Sequence, residues 1–114
     1  MMFYRLKLLL LYLSLSGTVL AVTPEQIATG KAIAWDRKGG NCLACHSMPE
    51  SDSPGNLGPP LIAMQARFPD RQKLYAQIYD ATQLNPDSRM PPFGQYQILT
   101  ESEINAVIDY LYTL

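Results

Sequence analysis

The sequence predicts an all-α domain, on three observations. Three segments carry apolar residues at helical spacing, the first and last behind a capping-box pattern. The stretches between them are dense in Pro, Gly and Asn. Nowhere do apolar and polar residues alternate as they would along a half-buried strand. No internal repeat or low-complexity run interrupts the 114 residues.

The first element is not part of the fold. Arg5 and Lys7 precede an apolar core from Leu8 through Leu15, and Val19-Leu20-Ala21 supplies small residues at cleavage spacing. Residues 1–21 therefore read as a secretory signal cleaved after Ala21, leaving residues 22–114 as one domain. The other reading, an uncleaved membrane anchor, has against it a charge-free stretch, Leu8 to Val22, shorter than the roughly 20 apolar residues a spanning helix needs. Losing Arg5 and Lys7 takes the formal net charge from −1 to −3. That mild acidity leaves no basic face for nucleic acid.

The first helix opens at Thr23-Pro24-Glu25-Gln26, where a capping hydroxyl, a proline at the first helical position and Gln26 make a capping box. Ile27, Ala28, Ala32, Ile33 and Trp35 carry it toward Asp36, and Gly39-Gly40 stops it. A second helix runs from Asp70 to about Ala81, with Leu74, Tyr75, Ile78 and Tyr79 forming one apolar face. The last begins at Thr100-Glu101-Ser102-Glu103, a full capping box, and aligns Ile104, Val107, Ile108 and Leu111.

Between the first two helices lies Cys42-Leu43-Ala44-Cys45-His46. C-x-x-C-H is the attachment signature of a c-type haem: each thiol closes a thioether onto a vinyl group, and the following imidazole, His46, meets the iron. A structural zinc site wants four N or S ligands, and the chain holds two Cys and one His. A thioredoxin-like pair wants a βαβ context that the flanks do not offer. A plain disulfide gives no reason for His46 to follow directly. One covalent haem also supplies apolar contact area to a domain of modest size.

Because His46 is the sole histidine, bis-His ligation within the chain is excluded. The distal position falls to a methionine, to Lys, to a partner's side chain, or stays open. Met48 sits too close to His46 to round the haem edge. Met64 follows Gly58-Pro59-Pro60-Leu61 and suits the core. Met90 precedes Pro91-Pro92-Phe93-Gly94, a stiffened loop that presents a soft sulfur, and is the favoured iron ligand. For Pro59 two readings stand: its carbonyl accepts from the other nitrogen of His46, or Gly58-Pro59 is an ordinary surface turn. The haem carboxylates have candidate partners in Arg67, Arg71, Arg89 and several neutral polar side chains.

This order of parts, helix, C-x-x-C-H, G-P-x-L, helix, Met loop, helix, resembles the class I cytochromes c across nearly all of residues 22–114. The resemblance implies a fold in which N- and C-terminal helices cross around a covalent haem, at positions matching Gly30 and Tyr110. It also implies that the Pro59 carbonyl accepts from the proximal His46. A narrower likeness rests on Gly39-Gly40-Asn41-Cys42 through His46, Gly58-Pro59-Pro60-Leu61, Asn85-Pro86, Met90-Pro91-Pro92-Phe93-Gly94, and Ile98-Leu99-Thr100 before Glu103-Ile104. These segments together resemble the SoxX family, monohaem subunits of the periplasmic thiosulfate-oxidising Sox system. That family implies a heterodimer with a SoxA-like cytochrome, which joins thiosulfate to a cysteine of a SoxYZ-like carrier and withdraws two electrons. The sulfur chemistry then belongs to the SoxA-like partner, and a His/Met haem here passes electrons to a downstream acceptor.

Counting reactive groups points the same way. With Cys42, Cys45 and His46 committed to haem, neither thiol nor imidazole remains as nucleophile or general base, so the chain is expected to have no catalytic residue of its own. The competing expectation is a free-standing periplasmic electron shuttle. The two differ in surface: an obligate subunit buries a larger apolar patch than a shuttle does, for which Tyr75, Tyr79, Phe93 and Tyr96 are candidates, although aromatics at helical spacing more often line a core. A gas sensor needs a vacant or labile distal site, against which Met90-Pro91-Pro92 argues.

Overall fold

A computed structural model describes residues 17–114, and across these it is helical with no strand. Most of the expected export signal, Met1 through Ser16, lies outside the described residues. Four helices follow in order: α1 (Pro24–Trp35), α2 (Met64–Arg67), α3 (Arg71–Tyr79) and α4 (Glu101–Leu111), with single 3₁₀ turns at Cys42–Ala44 and Ala81–Gln83. Among the described residues no helix is long and apolar enough to cross a membrane.

Both capping boxes form. Thr23 Oγ1 accepts from the Gln26 amide while Gln26 Oε1 accepts from Thr23 N–H, and Thr100 and Glu103 repeat the exchange at α4. Each satisfies donors that a helix start leaves without partners. At α3 the Asp70 carboxylate accepts from Gln72 N–H. α1 ends at Asp36, before Gly39. The two glycines instead fold back under it: Gly40 N–H donates to Ile33 O, and a Cβ at Gly40 would press on that same carbonyl.

The crossing of α1 and α4 is the largest helix contact. Gly30 lies against the Ala106 backbone, where an added Cβ would overlap the carbonyl and stand 3.0 Å from Tyr110 Cβ. Trp35 Nε1–H donates to Tyr110 Oη at 3.1 Å, tying the ends of the two helices across the crossing. From α4, Ile104, Val107, Ile108 and Leu111 are buried together with Tyr110. α3 is pinned to α4 by Arg71, which pairs with Asp109 at 2.7 Å and donates to Asn105 O at 2.9 Å.

Two features depart from the sequence reading. α2 was not expected; it is a single turn, entered through Ala63 in left-handed backbone with φ 50°, and Phe68 N–H donates to Met64 O to close it. On α3 only Leu74 and Ile78 are buried, whereas Tyr75 and Tyr79 stack on each other with centroids 5.8 Å apart at the edge. Of the other candidate surface aromatics, Phe93 is core and Tyr96 is exposed.

The helix crossing generates a measurable expectation. Gly30→Ala should lower the unfolding free energy of the haem-loaded protein by about 2 kcal/mol, the cost of forcing a methyl into a closed contact. Gly30→Val should cost more, both read from urea midpoints; unchanged midpoints would mean that the helices can part at this point without loss.

Candidate haem-binding site

The motif folds as one tight turn. Cys45 N–H and His46 N–H both donate to Cys42 O, at 3.1 and 2.9 Å. Positions three and four apart on a helical turn share a face, so both sulfurs and the imidazole open onto one cavity. The turn is entered through Asn41 in left-handed backbone, φ 48°, a conformation asparagine tolerates better than most residues. No disulfide joins Cys42 to Cys45. Burial pushes the Cys42 thiol up to about 11, so in the haem-free chain it stays protonated at neutral pH.

The long loop after the motif folds back along it. Gly55 N–H donates to Leu43 O, Gly58 N–H to Cys45 O and Leu61 N–H to Ser47 O, at 2.8, 2.7 and 2.8 Å. A Cβ at Gly55 would overlap the Ala44 carbonyl, and one at Gly58 would enter the His46 ring. His46 Nδ1 stands 2.6 Å from Pro59 O. A carbonyl only accepts, so Nδ1 carries the proton and Nε2 of the neutral ring keeps its lone pair. The reading of Gly58-Pro59 as an idle surface turn does not describe this arrangement.

The Met loop is fastened to the end of α3. A turn at Asn85–Ser88, closed by Ser88 N–H to Asn85 O, leads to Met90, whose own N–H donates to Ser88 Oγ. Beyond the two prolines, Gly94 N–H and Gln95 N–H both donate to Tyr79 O at the end of α3. Gly94 lies flat on the Tyr79 ring, with no room for a side chain.

Between these walls are two adjoining cavities. The outer, about 630 Å³, is bounded by Cys42, Cys45, His46, Pro59, Gln77, Met90 and Phe93, with Arg37, Arg89, Leu57 and Ile98 among its other lining residues. This lies within the ~300–1,000 Å³ of ordinary cofactor pockets. The inner, about 130 Å³, is almost wholly apolar and reaches Leu74, Ile78, Leu99, Val107 and Leu111. Met90 lines both; Met64 lines only the inner, and Met48 is buried in the core, lining neither. Of the arginines weighed for the haem carboxylates, Arg71 is engaged with Asp109 and Asn105. Arg67 donates to Pro60 O and Ile62 O and lines the inner cavity. Arg89 lines the outer cavity with Arg37, which the sequence reading did not single out.

The donor set fits a covalent haem: two thiols, an imidazole and a thioether line one cavity. Residues 25–111 match the sequence profile of the family described as cytochrome c oxidase, cbb3-type, subunit III. The chain belongs to this cytochrome c family. None of the curated proteins compared with it matches. As a class I cytochrome c domain it carries haem c covalently, with Cys42 and Cys45 fitting the attachment motif. When bound, the haem iron takes up and releases one electron, and electron transfer is the domain's chemistry.

The residues that would hold the group divide the work. Cys42 and Cys45 would tether it, His46 would offer Nε2 with its Nδ1 against Pro59 O, and Met90, which lines the same cavity, would offer sulfur. The aliphatic side chains of α3 and α4 exclude water. Donation from Nδ1–H to Pro59 O makes the imidazole a stronger electron donor. Gly58→Ala should push the ring off that carbonyl and so raise the midpoint potential, while mass spectrometry still finds one attached haem. An unmoved potential would show that the contact does not tune the imidazole.

Proposed function

We propose that this cytochrome c domain is the electron-accepting monohaem subunit of a SoxXA-like thiosulfate-oxidising complex, with His46 and Met90 as axial ligands. One observation carries the division of labour: the only two thiols and the only imidazole in the chain all line the haem cavity. Nothing nucleophilic of that kind is left elsewhere to hold substrate sulfur or to move a proton. The catalytic centre therefore belongs to a second polypeptide, and this chain accepts electrons from it.

The particular partner follows from the ordered set of SoxX-like segments around Cys42, Gly58, Asn85, Met90 and Leu99. A SoxA-like cytochrome would hold the sulfur site and receive the SoxYZ-like carrier, and a downstream acceptor would reoxidise the haem here. Leu57 and Ile98, exposed apolar residues lining the outer cavity, supply a dry contact for such a partner. The N-terminal Arg5, Lys7 and Leu8–Leu15 pattern supports export and cleavage after Ala21, hence a periplasmic domain of residues 22–114. Met90 is supported as the distal ligand by its stiff loop and by lining both cavities.

Two experiments test this. Oxidised protein should show the near-infrared sulfur-to-iron charge-transfer band, which Met90→Ala should abolish and Met64→Ala should leave in place; the opposite pattern would transfer the role to Met64. Purified residues 22–114 should be redox-active yet turn over no thiosulfate. Adding a SoxA-like partner and the carrier should bring on thiosulfate-dependent haem reduction, with Met90→Ala impairing electron removal more than thiosulfate use. Thiosulfate oxidation by the isolated chain would overturn the proposal, and failure to associate with any larger cytochrome would make it a free shuttle.

A further inference from the structure

Among the described residues Asp80 is the one charged side chain that is buried. It lines neither cavity, and neither ion pair, Lys31 with Glu50 or Arg71 with Asp109, includes it. A buried carboxylate is costly unless hydrogen bonds replace its water. Here three donations do so. Oδ1 accepts from Thr82 N–H at 3.0 Å and from Thr82 Oγ1–H, and Oδ2 accepts from Gln83 Nε2 at 3.1 Å. Hydrogen bonds from Thr82 and Gln83 hold the Asp80 carboxyl below the ordinary carboxylate range, so it is ionised at neutral pH.

Asp80 is the point at which the chain leaves α3. From there to Met90 the backbone is a series of turns, each starting at or close to where the one before it ends. Asp80 caps the 3₁₀ turn at Ala81–Gln83, Asn85 N–H donates to Ala81 O at 3.0 Å, Ser88 N–H donates to Asn85 O at 2.9 Å, and Met90 N–H donates to Ser88 Oγ at 3.3 Å. Past Met90 the chain comes back to the same place, since Gly94 N–H and Gln95 N–H both donate to Tyr79 O. The segment that bears Met90 thus starts and ends at Tyr79–Asp80, with no α-helix to stiffen it in between. Its shape depends on short turns, and the first of them is held by a buried charge.

We propose that Asp80 is a positioning residue for the distal side of the haem: its carboxylate fixes the turn at Thr82–Gln83, and through the turns that follow it fixes where Met90 presents its sulfur. This rests on Met90 as the distal ligand. Hydrogen bonds to an ionised group are roughly twice as strong as neutral ones, so the carboxylate holds the turn more firmly than an amide in its place. Weakening it frees the direction in which the chain leaves α3 and lets the sulfur part from ferric iron while the helices stay folded.

The test uses haem-loaded ferric protein heated in small steps, with the near-infrared sulfur band read beside the helical circular-dichroism signal. Asp80→Asn keeps the shape and an oxygen for Thr82 but turns an amide toward Gln83 Nε2. Thr82→Val removes the hydroxyl donor without touching any charge. Asp109→Asn, which breaks the ion pair holding α3 to α4, reports on general loss of stability. In Asp80→Asn the band should be lost several degrees further below helix melting than in the unaltered protein, and in Thr82→Val the gap should widen less. Asp109→Asn should lower both transitions together. If Asp80→Asn also lowers both together, or moves neither, the carboxylate does not position the loop and the proposal is overturned. Should Asp80→Asn fail to retain haem, Thr82→Val decides by the same criterion. Met90→Ala separates the two levels: a band that survives it removes the ligand assignment and the role of Asp80 with it. A band lost in Met90→Ala, with no widened gap in Asp80→Asn, removes only the Asp80 assignment.

Discussion

The buried side chains of this chain surround a space instead of filling it, and the rest of the structure follows from that constraint. Leu74 and Ile78 from α3, Val107 and Leu111 from α4, and Phe93 and Leu99 from the loop between them all face the same cavities. Protein interiors are normally packed to crystal density, and an unfilled apolar cavity destabilises the fold that encloses it. Haem is thus as much the centre of the hydrophobic core as it is the redox group. A domain this small gains from it the contact area that its own side chains do not provide. Binding and folding are coupled in the way familiar from small metal-dependent domains.

Glycine serves the same constraint by proximity. Among the described residues no glycine has positive φ; left-handed backbone falls instead on Asn41, Glu50, Ser53, Ala63 and Gln97. Gly30, Gly55, Gly58 and Gly94 are needed because a helix backbone, a carbonyl, an imidazole and a tyrosine ring lie where a Cβ would be. The surfaces that enclose the haem are closed at these points by the lack of a side chain.

What the sequence made legible was whatever is encoded locally. Thr23 with Gln26, and Thr100 with Glu103, announce their helices because a capping box is complete within four residues. The apolar stripe of α4 was readable for the same reason, since the whole stripe becomes core. The α1–α4 crossing came through resemblance, whereas for Pro59 O residue chemistry left the His46 contact and an idle turn side by side and the resemblance favoured the contact, because sequence alone does not encode which distant surface a glycine or carbonyl meets. α2 escaped because one turn is too short for periodicity and Ala63 is an unmarked cap. Tyr75 and Tyr79 were assigned to a face on which only Leu74 and Ile78 are fully buried, Tyr75 packing half-buried against the core and Tyr79 lying exposed, since tyrosine satisfies an apolar pattern whether it is buried or half-exposed. Asp80 went unnoticed because the expected helix ran on to about Ala81, and a capping carboxylate is read only where a helix is seen to start. Asp80-Ala81-Thr82, with an acceptor two residues ahead of a hydroxyl, was the available signal.

The locality of the motif turn has a kinetic consequence. Its closing hydrogen bonds, from Cys45 N–H and His46 N–H to Cys42 O, span no more than four residues. Such a turn closes on itself far faster than any long-range contact, and does so in a chain with no tertiary structure. The Pro59 contact spans thirteen residues, and the Met90 side of the cavity closes a loop more than three times longer, at an added entropic cost of about 1 kcal/mol. Closure is therefore ordered along the chain: the motif turn forms first, the Pro59 contact next, and the Met90 side of the cavity last. An unfolded polypeptide can already form the turn that carries Cys42, Cys45 and His46, and the closures that span longer stretches of chain come after it.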